Sequence, residues 1–312
     1  MNANFEYLAK PFFQRGGLTI VDGLEGTGKS MLALDLAWRL SKGKSVFGKY
    51  KVENPVKVFY LQGDMSMAGF RERKYAMGIE QTPNFISACK DAIEKTNCEN
   101  EKFTFDNKKG LAVLEWLITE FEIDILVIDS LVSFIMGNMS EQEYMSPIMN
   151  ALKQIANKHN THIFMLTHSN KQHDVHGSKV MNWAAAMRAT ISAKDGKSFF
   201  RAKKNQTDNV LPKFSFAILP RWNKKTGEIR NKVVESREIP MFKLKYFHND
   251  QEDMAASLMV QKIKEAPQSI KDQAIRMIRA GDNQEKVKKA LGTSKASYHR
   301  YKKEIQDEKE NG

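Results

Sequence analysis

Short, uninterrupted apolar runs alternate along the first half of the chain with longer stretches whose apolar residues recur every three to four positions. Residues 18–21 (LTIV), 56–61 (VKVFYL), 125–128 (ILVI) and 162–166 (HIFML) read as strands. Between them Leu32, Leu36 and Leu40 mark residues 31–40 as a helix. Leu111, Leu114, Ile118 and Phe121 do the same for 110–122, and Ile148, Met149, Leu152 and Ile155 for 145–158. Apolar strands separated by amphipathic helices predict an α/β fold, a mostly parallel sheet covered by helices on both faces.

Past residue 182 the pattern changes to β-like runs at 198–202 and 214–219 with a turn at 224–227, which predicts an antiparallel extension of the sheet edge. A polar stretch, 249–268, punctuated by Pro267, separates this first domain (1–248) from a short basic one (269–312). There, helical patterns at 270–280, 284–291 and 295–306 are divided by Gly281-Asp282-Asn283 and Gly292-Thr293-Ser294, the grammar of a helix-turn-helix. Ile278, Val287, Ala290, Leu291, Tyr298 and Tyr301 are its expected core and Ser294 its N-cap, leaving Lys295, Ser297, His299 and Arg300 towards DNA. The alternative is a charged helical hairpin that packs on the larger domain or joins copies of the chain.

Composition narrows the classes. With 312 residues, 41% hydrophobic and 28% charged, the chain is an ordinary globular protein long enough for one large core and an appendage. A formal net charge of +12 favours a polyanionic partner, nucleic acid or an acidic membrane surface. Cys89 and Cys98 support neither a disulfide framework nor a zinc motif, which fits a reducing cytoplasm. No secretory signal is expected in residues 1–17, and the apolar run 125–136 is broken by Asp129 and too short to cross a bilayer, so no membrane association is expected.

The sharpest chemical signal is Gly23-Leu24-Glu25-Gly26-Thr27-Gly28-Lys29-Ser30, which fits G-x-x-x-x-G-K-[ST] between a strand and a helix. In such a loop backbone N–H groups turn inward around phosphates and the helix directs its positive end at them. Lys29 is expected on the β- and γ-phosphates of ATP and Ser30 on Mg²⁺. A second carboxylate is needed for the magnesium shell, and Asp129, ending the run Ile125-Leu126-Val127-Ile128, supplies it. Asp124, at the start of that run, reads as an exposed strand-start residue.

From residue 16 to about 216 the chain resembles the RecA-like ATPases, specifically the hexameric replicative helicases of RepA type from plasmids and related mobile elements. Tyr60-Leu61-Gln62-Gly63-Asp64 is similar to that family's Y-L-x-x-E, which places Asp64, one methylene shorter than Glu, as the carboxylate that polarises the attacking water. Thr167-His168-Ser169-Asn170-Lys171 resembles the family's H-H-x-x-K, with His168 as the group that senses the γ-phosphate. His176-Gly177-Ser178 followed by Arg188 resembles R-G-S and a later arginine, which implies that Arg188 reaches a neighbouring subunit's ATP. Lys203-Lys204-Asn205-Gln206 is similar to a related finger segment, with Lys204 as a second trans-acting candidate and Gln206 in place of a positive charge.

The resemblance also implies that single-stranded DNA threads a ring past the loops 137–144 and 170–179. Only the second is basic, through Lys171, His173, His176 and Lys179. His168, His173 and His176 lack a Cys or acidic partner at a recognised metal spacing. The expectation is therefore a magnesium- and ATP-dependent, ring-forming DNA helicase, a homo-oligomer and hexamer, acting in plasmid or mobile-element replication. Single-stranded DNA would pass through the ring and double-stranded DNA would meet the C-terminal domain, with a primase or initiator as further partner. The alternative is a non-motor DNA-binding ATPase such as a recombination mediator, replication initiator or regulator.

Overall fold

The chain opens with an antiparallel ribbon, β1 (Tyr7–Ala9) and β2 (Phe13–Gln14), and enters β3 (Leu18–Gly23), α1 (Lys29–Ser41), β4 (Val58–Gln62), α2 (Met67–Met77), β5 (Phe85–Cys89), α3 (Lys90–Asn97) and α4 (Lys108–Glu120). β6 (Ile125–Asp129), a 3-10 turn (Leu131–Phe134), α5 (Gln142–His159), β7 (His162–Leu166) and α6 (Lys179–Ala184) follow. Then come β8 (Met187–Lys194), β9 (Lys197–Asn205), β10 (Lys213–Pro220), β11 (Asn231–Val234), β12 (Arg237–Pro240) and β13 (Phe242–Phe247). The computed structural model describes residues 6–80, 82–97, 102–169, 179–206, 211–221, 229–234, 237–248, 270–291 and 294–310. The expected turn at 224–227 and the polar stretch 249–268 lie outside the described residues.

Nine strands form one sheet in the order β13-β10-β9-β8-β3-β7-β6-β4-β5. The six from β8 to β5 are parallel; β9, β10 and β13 continue the sheet antiparallel, as the shorter β-like runs predicted. β3, β4, β6 and β7 are buried at every position, so the period-two alternation of a strand feeds two cores instead of one core and water. Val21, Tyr60, Val127 and Phe164 pack with Leu32, Leu36 and Leu40 of α1 and Phe70 of α2. Their neighbours Ile20, Leu61, Ile128 and Met165 pack on the opposite face with Leu114 and Ile118 of α4 and Ile148 and Leu152 of α5. Each such side chain withdrawn from water contributes about 1.5–3 kcal/mol before the entropy of ordering is charged against it.

The outer strand β13 presents Lys243 and Lys245 to solvent and buries Leu244 and Phe247. At the parallel strands' carboxyl edge β3, β6, β4 and β7 all end on the same side, and β7 separates β3 from β6. At the opposite edge Asp124 is no exposed strand start. Half-buried, it accepts from Arg15 at 2.9 Å and from the Lys57 amide at 2.9 Å, tying the N-terminal ribbon and the entry to β4 together.

Contacts divide the chain into two compact units, 1–256 and 257–312. In the second, α7 (Ile270–Arg279), α8 (Gln284–Leu291) and α9 (Lys295–Glu310) surround Ala274, Val287, Tyr298 and Tyr301, with Ile275, Met277 and Ile278 packed against them. Ala290, an expected core residue, is exposed, while Ala274 of α7 is fully buried in the small core.

Candidate active site

The glycine-rich loop occupies the exit from β3. Gly28 has φ 86°, a left-handed conformation that glycine alone adopts without strain, and it turns the chain directly into α1. No side chain caps the first turn of α1 and none of its first-turn residues is acidic, so the amides at this helix start face an anion-ready opening. Glu25 and Gly26 are exposed at the loop's tip, while Thr27 is buried and closes the loop by donating to the Leu24 carbonyl at 2.8 Å. Lys29 folds back on the same loop and donates to the carbonyls of Gly23 and Leu24 at 2.7 and 2.8 Å. Burial pulls its ammonium below the ordinary lysine value, opposed by the surrounding carboxylates of Asp129, Asp22, Glu25 and Asp64.

Ser30 donates to Asp129 Oδ1 at 2.9 Å. The other oxygen, Oδ2, accepts from the Tyr60 hydroxyl at 2.5 Å and from Gln62 Nε2 at 3.1 Å. Burial holds the Asp129 carboxyl above its ordinary value against the hydrogen bonds of Tyr60 and Ser30, and the same burial raises the Tyr60 phenol well above its own. A buried carboxylate in contact with a serine hydroxyl is a hard oxygen pair, the donor chemistry that magnesium takes. Ser30 and Asp129 would hold the ion, which supplies charge neutralisation for a transferring phosphoryl group.

Gln62 joins the two carboxylates of the site. Its Nε2 reaches Asp129 and its Oε1 accepts from the Asp64 amide at 2.7 Å. Asp64 in turn accepts from the Ser130 hydroxyl at 2.9 Å and from the Ser133 hydroxyl. Gly63 makes this approach feasible: a Cβ there would lie 2.4 Å from Ser133 Cβ and 2.8 Å from Phe134 Cε2. Tyr60, Gln62, Ser130 and Ser133 were not anticipated from sequence. The period-two spacing of Tyr60 and Gln62 along β4 was the available signal for the first two.

His168 follows β7, half-buried, its pKa lowered by burial and by the nearby Lys29 ammonium, so it stands neutral beside the loop. Thr167, in the place of the family's first histidine, buries a hydroxyl with no hydrogen-bond partner among the described residues. Ser169 ties this segment to the loop strand, its amide donating to the Gly23 carbonyl at 3.2 Å and its hydroxyl to Asp22 at 3.0 Å. Arg188, expected to reach a neighbour's ATP, is engaged within its own chain by Asp22 and by the Asn182 side chain. Lys204 donates to the Asn182 carbonyl, so both finger candidates converge on α6.

Lys171, His173 and His176 lie outside the described residues; Lys179 is exposed at the start of α6. In the smaller unit Ser294 accepts from the Ser297 amide at 3.0 Å, which caps α9. Lys295, His299 and Arg300 are exposed and Ser297 half-exposed, while Tyr298, Tyr301 and Ile305 turn inward. Among the described residues no cluster of three or more His, Cys, Asp or Glu could hold a metal, and no helix is long and apolar enough to cross a membrane.

The family model described as AAA domain matches residues 3–174. No curated protein sequence matches the chain. Among solved structures the chain is similar to a KaiC-like protein from the hyperthermophilic archaeon Pyrococcus horikoshii OT3, with 13% identity and a TM-score of 0.49 over 75% of this chain and 93% of that one. It is also similar to the flagellar accessory protein FlaH from Methanocaldococcus jannaschii, with 15% identity and a TM-score of 0.45 over 65% and 85% of the two chains.

Proposed function

The chain belongs to the AAA domain family, and we propose that it is a RecA-like, ATP-driven DNA helicase of RepA type, a ring-forming homo-oligomer of six copies that acts in plasmid or mobile-element replication. One observation carries the step from ATPase to DNA: α9 is capped by Ser294 and turns Lys295, His299 and Arg300 to solvent opposite a buried Tyr298, Tyr301 and Ile305 stripe. Three residues separate α8 from α9, a spacing that suits a helix-turn-helix, in which the second helix would enter a major groove. A net charge of +12 supports the same partner.

In this reading Lys29 leaves the carbonyls of Gly23 and Leu24 for the β- and γ-phosphates, and Asp64, steadied by Ser130 and Ser133, orients the attacking water. His168 registers the γ-phosphate. Its neighbour Ser169 shares Asp22 with Arg188, so loss of phosphate would be passed to the proposed single-stranded-DNA loop, 170–179. For Arg188 to serve a neighbouring subunit it must exchange Asp22 for that subunit's phosphate. A primase or initiator would bring the ring to its origin.

The test is strand displacement by the purified protein with ATP and magnesium, alongside ATP hydrolysis with and without single-stranded DNA. Unwinding that Lys29→Ala abolishes is the expected result; DNA-stimulated hydrolysis without unwinding would sink the motor. One observation favours the second reading, a DNA-binding ATPase switch: the short Asp64 carboxylate is held by hydroxyls of its own chain on both oxygens, which suits slow hydrolysis. Slow, DNA-insensitive turnover with nucleotide-dependent DNA binding would select that reading.

A further inference from the structure

The 3-10 turn Leu131–Phe134 and the residue before it carry the two hydroxyls that hold Asp64, yet so short a turn has little of its own to fix it. Its internal bonds run from the Ser133 amide to the Ser130 carbonyl at 3.2 Å and from the Ile135 amide to the Val132 carbonyl at 3.4 Å. The carbonyls of Ser133 and Phe134, at its end, are met from outside, as the last carbonyls of a helical turn must be. The Phe105 amide donates to Phe134 at 2.8 Å, and the Lys90 ammonium donates to Ser133 at 2.6 Å.

Lys90 opens α3 directly after the edge strand β5, and its side chain is only 19% exposed. The ammonium stands 3.7 Å from Glu94, one turn further along the helix, and 5.6 Å from the centre of the Phe134 ring. Glu94 is fixed in its turn, accepting from the Phe103 amide at 2.9 Å. Phe103 and Phe105 both pack against Phe134, the first edge-on and the second stacked. A carboxylate and an aromatic ring therefore steady the ammonium that meets the Ser133 carbonyl.

Ser133 is thus engaged twice: its carbonyl accepts from Lys90 and its hydroxyl donates to Asp64. Both groups hang on one Cα, so a rotation of the carbonyl carries the hydroxyl with it. We propose that Lys90 is a positioning residue for ATP hydrolysis, pinning the Ser133 carbonyl so that Ser130 and Ser133 present Asp64 to the attacking water. The inference rests on the reading of Asp64 as the water-orienting carboxylate, and not on DNA as partner. A misplacement of about 1 Å costs as much as about 10² in rate, so a pin outside the site suffices to govern turnover.

The experiment measures kcat and KM for ATP in the full chain carrying Lys90→Met, Lys90→Arg, Asp64→Asn, or Lys90→Met and Asp64→Asn together. Hydrogen exchange over residues 131–135, followed by mass spectrometry without nucleotide, reports the turn itself. Lys90→Met should lower kcat by about tenfold or more, leave KM within about twofold and speed exchange of the turn. Lys90→Arg, which keeps charge and donor, should recover most of the loss. Added to Asp64→Asn, Lys90→Met should cost no more than about twofold further, because the group it positions is already gone. Should Lys90→Met fail to fold, Lys90→Gln is judged by the same criteria. If Asp64→Asn alone leaves turnover intact, the reading of Asp64 falls and the role of Lys90 with it. If Asp64→Asn does lower turnover, the role of Lys90 alone is overturned by an undiminished kcat in Lys90→Met, by unchanged exchange of the turn, or by a full further loss on top of Asp64→Asn.

Discussion

Arg188 donates twice, from Nε and Nη2, to a single oxygen of Asp22, at 3.2 Å each, and Asp22 has no solvent exposure. The pair locks β8 to the strand that feeds the phosphate loop. Removing the guanidinium leaves a buried carboxylate with Ser169 as its one remaining side-chain partner among the described residues, and such losses cost about 3–5 kcal/mol. Arg188→Ala should therefore lower the urea midpoint sharply, and Arg188→Lys should lower it by less. If Arg188→Ala keeps full stability and loses only hydrolysis, the arginine acts on a neighbour's nucleotide. Mixed assemblies with Lys29→Ala should then regain activity.

Asp64→Asn keeps the size of the side chain and removes the charge that would orient water. Turnover should fall by about 10²–10⁴ while ATP binding, followed by calorimetry, stays within severalfold. Equal losses in binding and turnover would show that Asp64 holds the loop's shape instead.

Gly63→Ala should be nearly as damaging without touching a charge. The new methyl must push against Ser133 Cβ and Phe134 Cε2, displacing the turn whose hydroxyls hold Asp64. A stability cost of about 1–3 kcal/mol is expected. Hydrolysis should fall further than that cost explains, measured as kcat under conditions where the protein is fully folded.

His162 gives the fold a pH dependence. Fully buried, it donates from Nδ1 to the Gln14 carbonyl at 2.7 Å and accepts at Nε2 from the Thr19 hydroxyl at 3.0 Å, and burial lowers its pKa from 6.5 to about 4. Below pH 6.5 the unfolded chain binds a proton that the folded chain refuses until about pH 4, so stability present at neutral pH is lost as pH falls through that window. Urea denaturation should show a loss of about 2 kcal/mol between pH 7 and pH 5 from this group. His162→Gln should flatten that slope.

The parallel half of the sheet was legible because its strands are apolar at nearly every position and its helices α1, α4 and α5 carry long apolar stripes. α2 was not. Only Phe70, Ala76 and Met77 are buried along it, and its boundaries are set by polar signals, the Ser66 cap on the Gly69 amide and Gly78 at φ 67°, which apolar periodicity does not register. β5 escaped for a related reason: as an edge strand it buries only Phe85 and Cys89 fully. Helix α4 begins at Lys108, two residues before the expected start, because Asn107 caps it by accepting from the Gly110 amide at 2.7 Å. β8 did offer a signal, since Met187, Ala189 and Ile191 alternate with half-buried residues. At the site, the motif residues Lys29, Ser30 and Asp129 were readable from spacing alone. Asp22, Tyr60, Gln62, Ser130 and Ser133 were not, because their roles follow from which strands become neighbours.

The lysines on β13 bear on how copies of this chain could associate. An edge strand is where a sheet would grow by pairing with another molecule, and Lys243 and Lys245 charge that edge on every copy. Strand-to-strand addition at β13 would bring like charges together, so growth from that edge is self-limiting. A ring of the kind proposed above would then be joined through surfaces other than this edge, and could be taken apart and reloaded without unravelling a sheet shared across β13.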